Sequence, residues 1–217
     1  MNDTSTVLDD SLLLGKGAHR STYLHPDDSS KLIKIVHEGG QKRAAGRKRY
    51  WSMGRRLDMD GNERELRSIR LLQRADSYDT RFFPAFFGSI ETNYGNGLVF
   101  EKFGSGSGER IYELKTNAQR NLAFQLLSKD RVLEQFEELL GILLQAGIPS
   151  VGLAVENVAI LDRPNRDPQL VCYDVKFLED RQLIPLSHWV PPLHRQRVAR
   201  LMMRRREKFA AKLGSVK

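Results

Sequence analysis

Several positions carry side chains or backbone freedom that could do chemistry. Residues 12–23 read LLLGKGAHRSTY, in which Gly15 and Gly17 stand one residue apart behind three leucines. Such a loop either lays backbone N–H groups against a phosphate or turns a corner between strands, and two glycines alone do not decide. Lys34 sits inside the apolar run KLIKIV. Glu65 lies in ERELRSIRLLQR and, at about 100° per residue, falls on the side of Ile69 and Leu72. An acid on an inward stripe needs a partner, because an unpaired buried carboxylate is costly; the alternative is an edge position that reaches water. Asn157 directly precedes the strand-like run VAIL, and Asp174 directly follows the run LVCY.

The elements that must position these residues are readable from periodicity. SLLLG leads into the glycine turn, STYLH comes out of it, and KLIKIV follows the polar turn PDDSS; each reads as a short strand. The turn signal Asp60-Gly61-Asn62 precedes a helix with Leu66, Ile69 and Leu72 inward. Phe86–Thr92 and Gly97–Lys102 read as strands around a turn at Tyr94-Gly95-Asn96. GSGSG at 104–108 reads as a flexible joint. Beyond it, Ala118 to Ala146 holds one long apolar helical pattern, stopped by Gly147 and Pro149. The last segment predicts a basic helix from about Leu193 to Leu213, with Val198, Leu201, Met202 and Phe209 as an apolar stripe that packs on its own protein. The fold class is therefore α+β. A strand-rich part at about 11–103 joins a helix-rich part at 109–192 through the 104–108 hinge, and a basic helix follows at 193–217.

Composition narrows the class. The chain has 217 residues, 40% of them hydrophobic, enough for one substantial core or two small lobes. No stretch approaches the roughly 18–20 apolar residues of a membrane span, and the opening MNDTSTVLDD lacks the order of a secretory signal. Cys172 is the single cysteine, which excludes an intrachain disulfide and a structural cysteine zinc cluster and fits a cytoplasmic location. The formal charge is +8 and uneven. Seven Lys or Arg and no acid fill Gly39–Leu57, a basic insertion predicted to be partly helical through Arg56. Nine more lie from Leu193 onward, opposed only by Glu207. These blocks are either solvated surface or a site for an acidic protein or other polyanion.

The order of glycine hairpin, strand lysine, helix acid, second hairpin, joint, long helix, and Asn and Asp at two short strands resembles the protein-kinase-like fold. That resemblance implies a nucleotide site between two lobes. Gly15 and Gly17 would form the phosphate loop, with Arg20 at the place of its third glycine. Lys34 would hold phosphates while paired to Glu65, and Asn157 and Asp174 would hold Mg²⁺. The chemistry fits the residue types. A triphosphate calls for backbone N–H groups, a cation and a metal, and hard Mg²⁺ takes oxygen ligands. In the competing reading, Lys34 is an exposed edge residue and Asn157 and Asp174 only end strands.

A closer resemblance covers nearly the whole chain, from about Ser11 to Phe209. The stretches LGKGAHRSTYLHPDD, KLIKIVHEGG, FFGSIETNYGNGLVFE, NVAI, LVCYDV and LIPLSHW resemble the bacterial PhoP regulatory network protein YrbL family. The most specific pieces are Gly15 to Pro26, Ile33-Lys34-Ile35-Val36 and Leu183-Ile184-Pro185-Leu186. Membership implies a small cytoplasmic kinase-like protein, linked by name to a magnesium-responsive regulatory network, without implying a reaction.

The kinase pattern breaks at definite places. Active kinases carry an aspartate five residues before the metal-binding Asn, and here that position is Gly152, which accepts no proton. Ser150 replaces the His two positions earlier, and Val175-Lys176 replaces Phe-Gly after Asp174. Loss of the acid threatens transfer to a protein hydroxyl and spares nucleotide binding. Three functions follow: a regulator or degenerate kinase binding ATP and Mg²⁺; a small-molecule phosphotransferase with a substituted base; or a binding protein for an anionic partner. In the third, Tyr50 and Trp51 beside the basic block could stack on nucleic-acid bases, though packing is the commoner use of such residues.

Overall fold

The computed structural model describes residues 6–17, 19–37, 60–148, 153–174 and 191–214. The fold is α+β, as the sequence predicts, with antiparallel sheets and helices in two units. One unit holds the residues up to Arg64 and Pro84–Gly106; the other holds Glu65–Phe83 and the residues from Ser107 onward. The basic insertion at 39–57 with Tyr50 and Trp51, Ser150 and Gly152, and Val175-Lys176 lie outside the described residues, as does Leu183–Leu186.

The first unit is a five-stranded antiparallel sheet in the order β1-β2-β3-β5-β4. Its strands are β1 (Leu13–Lys16), β2 (Arg20–His25), β3 (Asp28–Val36), β4 (Phe86–Thr92) and β5 (Gly95–Glu101). The strand β3 is central and starts earlier than KLIKIV, because Asp28 to Ser30 of the predicted turn already belong to it. Ile33 and Ile35 pack with Leu8, Tyr23 and Val99, while the alternate residues Lys34 and Val36 are also buried. Both faces are covered at this end of the strand, which is why its alternation is imperfect.

The turn of the β4–β5 hairpin is Asn93-Tyr94, earlier than predicted, since Thr92 pairs with Gly95. The reason is tertiary. Leu8 N–H donates to Asn93 Oδ1 at 2.8 Å, and Asn93 Nδ2 donates to the Leu8 carbonyl at 2.9 Å. Thr6 bridges alongside Thr92 on the β4 edge. Gly97 lies opposite Ile35 and Ile90, and a Cβ there would stand 2.5 Å from Ile33 Cγ2 and 2.6 Å from Ile35 Cδ1.

Helix α1 (Gly61–Arg74) starts in the first unit. The predicted turn at Asp60 is in fact its cap. Asp60 Oδ1 accepts from the N–H groups of Asn62 (2.8 Å) and Glu63 (2.9 Å), and Glu63 Oε2 accepts from Asp60 N–H (3.0 Å). This reciprocal capping box satisfies donors that the first helical turn leaves open. The buried face is Glu65, Ser68, Ile69 and Leu72, with Leu66 only half-buried, so the inward stripe is rotated from the predicted one.

The second unit has a three-stranded sheet in the order β6-β7-β8, made of β6 (Arg110–Glu113), β7 (Val158–Asp162) and β8 (Gln169–Cys172). The sequence reading missed β6, four residues long and directly behind the glycine-serine joint. It also predicted a single helix at 118–146, where there are two, α2 (Asn117–Leu126) and α3 (Lys129–Gln145). They part at Leu127-Ser128, where Ser128 Oγ accepts from Arg131 N–H at 3.4 Å and starts a new helix. Gly147 ends α3 with φ 68°, and the Ile148 and Gly147 N–H groups donate to Leu143 (2.8 Å) and Leu144 (3.0 Å). That is a Schellman stop, which favours glycine because its left-handed backbone carries no Cβ penalty. Helix α4 (Pro191–Gly214) buries Val198, Met202, Phe209 and Leu213. Phe209 stacks on Phe136 of α3, with ring centroids 3.8 Å apart and planes at 6°. The basic helix thus packs on its own protein, as its stripe predicts.

Candidate functional site

In the first unit the site is built around Lys34. On the central strand it stands between Thr22 of β2 and Leu98 of β5, and it is 7% exposed. Its Nζ lies 4.3 Å from the centroid of the Phe100 ring, close enough for a cation–π contact. The competing picture of an exposed edge lysine is therefore wrong. Its backbone carbonyl accepts a 2.9 Å hydrogen bond from Asn62 Nδ2.

Asn62 is a site-supporting residue that sequence reasoning missed. It is buried in the first turn of α1, also donates to the Asn96 carbonyl (3.3 Å), and accepts from Arg20 Nη1 (3.4 Å). The local signal was present: an Asp and a Glu three residues apart form a capping box that fixes where Asn62 points.

The glycine segment begins inside β1, which holds Gly15, and Gly17 follows the strand's end. Gly15 pairs with Thr22 across a register shift, and Gly17 N–H donates to the Arg20 carbonyl at 2.8 Å. The Gly17 carbonyl is 3.0 Å from His37 Nε2. A Cβ on Gly15 would meet no heavy atom within 4 Å, so close approach inside the protein does not demand glycine there. Arg20 lies along the helix start, its Cδ 3.0 Å from where a Cβ on Gly61 would be.

In the second unit Glu65 is 3% exposed on α1, beside the fully buried Ser68. The inward reading of this acid holds, and the water-reaching edge position does not. Asn157 ends a single 3₁₀ turn, Val155–Asn157, that runs straight into β7. Its carbonyl accepts from Tyr173 N–H at 3.2 Å, continuing the ladder in which Val158 pairs with Cys172. Asn157 and Asp174 therefore lie at the same end of one hairpin, and both are half-buried. Burial raises the Tyr173 phenol above its ordinary range, helped by nearby acids including Glu113 and Asp174. Its hydroxyl donates to the Glu156 carbonyl at 2.7 Å. The Glu156 carboxyl is held below the usual carboxylate range, first by its hydrogen bond from Lys212 and then by its own backbone N–H.

Among the described residues no group of three or more His, Cys, Asp or Glu side chains is arranged to hold a metal. The oxygen donors at this hairpin end are an amide and a carboxylate. Such a pair suits Mg²⁺, which keeps several waters and takes one or two carboxylates plus phosphate oxygens. No helix of the described residues is long and apolar enough to cross a membrane.

Three comparisons bear on identity. The chain is 26% identical over 180 residues to the uncharacterized protein YrbL of Escherichia coli (strain K12), covering 81% of this chain and 74% of that protein. The protein of the same description from Shigella flexneri matches with the same figures. The fold is similar to the crystal structure of the PknI kinase domain of Mycobacterium tuberculosis, with TM-score 0.44 and 14% identity. That match covers 78% of this chain and 60% of that domain, so the chain spans less than two thirds of the domain's length. The family of the PhoP regulatory network protein YrbL matches residues 6–213, nearly the whole sequence, and the chain belongs to that family.

Proposed function

We propose that this chain binds a magnesium nucleotide, with ATP as the ligand expected, and acts as a regulator or degenerate kinase. The observation that carries this reading is the burial of Lys34, a cation on the central strand of the five-stranded sheet. A lysine on the strand behind a glycine hairpin is well suited to hold phosphate. Gly15 supports the reading, since the space over its Cα is open to a ligand's approach.

Each residue has a role. Gly15 and Gly17 offer the loop, and Arg20 adds positive charge at its end. Lys34 holds phosphate oxygens, and Glu65 is the acid that aims it. Asn157 and Asp174 would hold Mg²⁺, which when bound neutralises charge on the phosphates. With Gly152 at the usual position of the base, the reading requires binding and does not require phosphoryl transfer.

Thermal melting with and without Mg·ATP tests this. Ligand at 100 times its dissociation constant should add about 2.7 kcal/mol of stability. No shift with any nucleotide, with or without divalent ions, would overturn it.

A second reading, an anionic partner, is favoured by α4. Arg200, Arg204 and Lys208 are exposed at four-residue spacing and form no ion pair with any described residue. It predicts binding to an acidic polymer such as heparin that falls steeply with salt. Binding indifferent to salt would remove it.

A further inference from the structure

We infer that the last turn of α4 is a strut for the Asn157–Asp174 end of the β7–β8 hairpin, with Lys212 and Tyr173 as positioning residues. The inference rests on the magnesium-nucleotide reading above and names how that site is held.

Two connections meet at Glu156, the residue before Asn157, and a third reaches Asn157 itself. Its side chain accepts from Lys212 Nζ, across 56 positions of sequence. Its carbonyl accepts from the Tyr173 hydroxyl at 2.7 Å. Tyr173 in turn donates its own N–H to the Asn157 carbonyl at 3.2 Å. The single 3₁₀ turn carrying Asn157 is thus held from the helix side through Lys212 and from the strand side through Tyr173, the neighbour of Asp174.

The far end of the strut is itself anchored. Arg120 of α2 is 6% exposed and donates to the Leu114 carbonyl at 2.9 Å and to the Lys212 carbonyl at 2.9 Å. A buried guanidinium therefore caps the C-terminal carbonyl end of α4, where the helix dipole favours a cation. Lys212 cannot drift along its helix while that bond stands, and its side chain is aimed from a fixed backbone. The Lys212–Glu156 pair is itself about half exposed, 55% and 52% by side chain. An ion pair so exposed contributes little to overall stability, so its use lies in orientation. Anything that lifts the last turn of α4 would loosen the proposed metal ligands, which makes the helix a route by which a partner could set magnesium affinity.

The test is calorimetric titration of the intact chain with ADP, with MgCl₂ and with EDTA, reading the ratio of the two dissociation constants. Wild-type protein should bind more tightly with Mg²⁺. Lys212→Met should lower that ratio by about three- to fivefold, the scale of one half-exposed ion pair, and leave EDTA-state affinity and melting temperature unchanged. Lys212→Arg should restore it. Glu156→Gln should match Lys212→Met, and the double variant should lose no more than either alone. Tyr173→Phe should reduce the ratio independently of both.

If wild-type ADP binding strengthens with Mg²⁺ and Lys212→Met leaves the ratio untouched, the strut is overturned while the nucleotide reading stands. Lower melting temperature with an unchanged ratio also overturns it, because that marks a structural role alone. If wild-type protein binds no ADP in either buffer, both fall together.

Discussion

The two units differ most in the size of their apolar cores, and each buries charge. The sheet unit has a small apolar cluster around Leu8, Tyr23, Ile33, Ile35 and Val99, and it also buries Lys34, on the other face of β3, at 7% exposure and Asn62 at 8%. The helical unit has a much larger core running from Leu72 through Phe136, Leu139 and Leu143 to Phe209 and Leu213. It buries Glu65 at 3% exposure and Arg120 at 6%, and keeps Asn157 and Asp174 half-buried at the rim of its apolar strands. The larger cluster buries more apolar surface, so hydrophobic stabilisation is greater in the helical unit. Substituting the half-buried Asp174 should perturb folding less than substituting the buried Lys34.

Core truncation gives the largest contrast. Phe136→Ala removes a fully buried ring stacked on Phe209 and should cost about 3–5 kcal/mol in urea unfolding. Ile33→Ala in the sheet cluster should cost about 2–4 kcal/mol on the same measurement. Equal losses would say that the smaller cluster is no weaker than the larger one.

Ligand binding sharpens the comparison next. Lys34→Met should abolish the melting shift of about 2.7 kcal/mol produced by saturating Mg·ATP. Asp174→Ala should remove only the part of the shift that depends on Mg²⁺. If both variants behave alike, the division of labour between lysine and metal ligands is wrong.

A smaller effect belongs to Asn62. Replacing it with Ala leaves the Lys34 and Asn96 carbonyls without their donor and should cost about 1–3 kcal/mol by thermal unfolding. A neutral result would mean the buried amide is dispensable to the lysine strand.

The smallest effect lies in the helical unit, at Asp79. Burial pushes its carboxyl up, but the Arg81 side chain and N–H outweigh this and hold it below its ordinary value. The stabilisation is present above the unfolded value of 3.8 and is lost as pH falls through the lower folded one. Asp79→Asn should therefore cost about 0.5 kcal/mol at neutral pH and nothing in strong acid. Equal cost at both pH values would assign the effect to packing.

Local chemistry was legible in the sequence, and long-range satisfaction was not. The strand of Lys34, the inward face of Glu65 and the strand ends at Asn157 and Asp174 follow from periodicity over a few residues. The turn at Asn93-Tyr94 was misplaced because a residue 85 positions away, Leu8, decides it through two hydrogen bonds. The break at Leu127-Ser128 was hidden by apolar residues that continue the helical period on either side, leaving only one serine cap as signal. The bond from Arg120 to the Lys212 carbonyl spans 92 positions, so no local pattern in the sequence announces it.

The clasp between Leu8 and Asn93 has a consequence for solution behaviour. Thr6 hydrogen-bonds along the outer side of β4, an edge strand whose Phe87 is 54% exposed. Trimming the chain past Leu8 would strip that edge of its cover and leave a ladder of backbone groups open to self-association. A short arm thus doubles as a guard against aggregation.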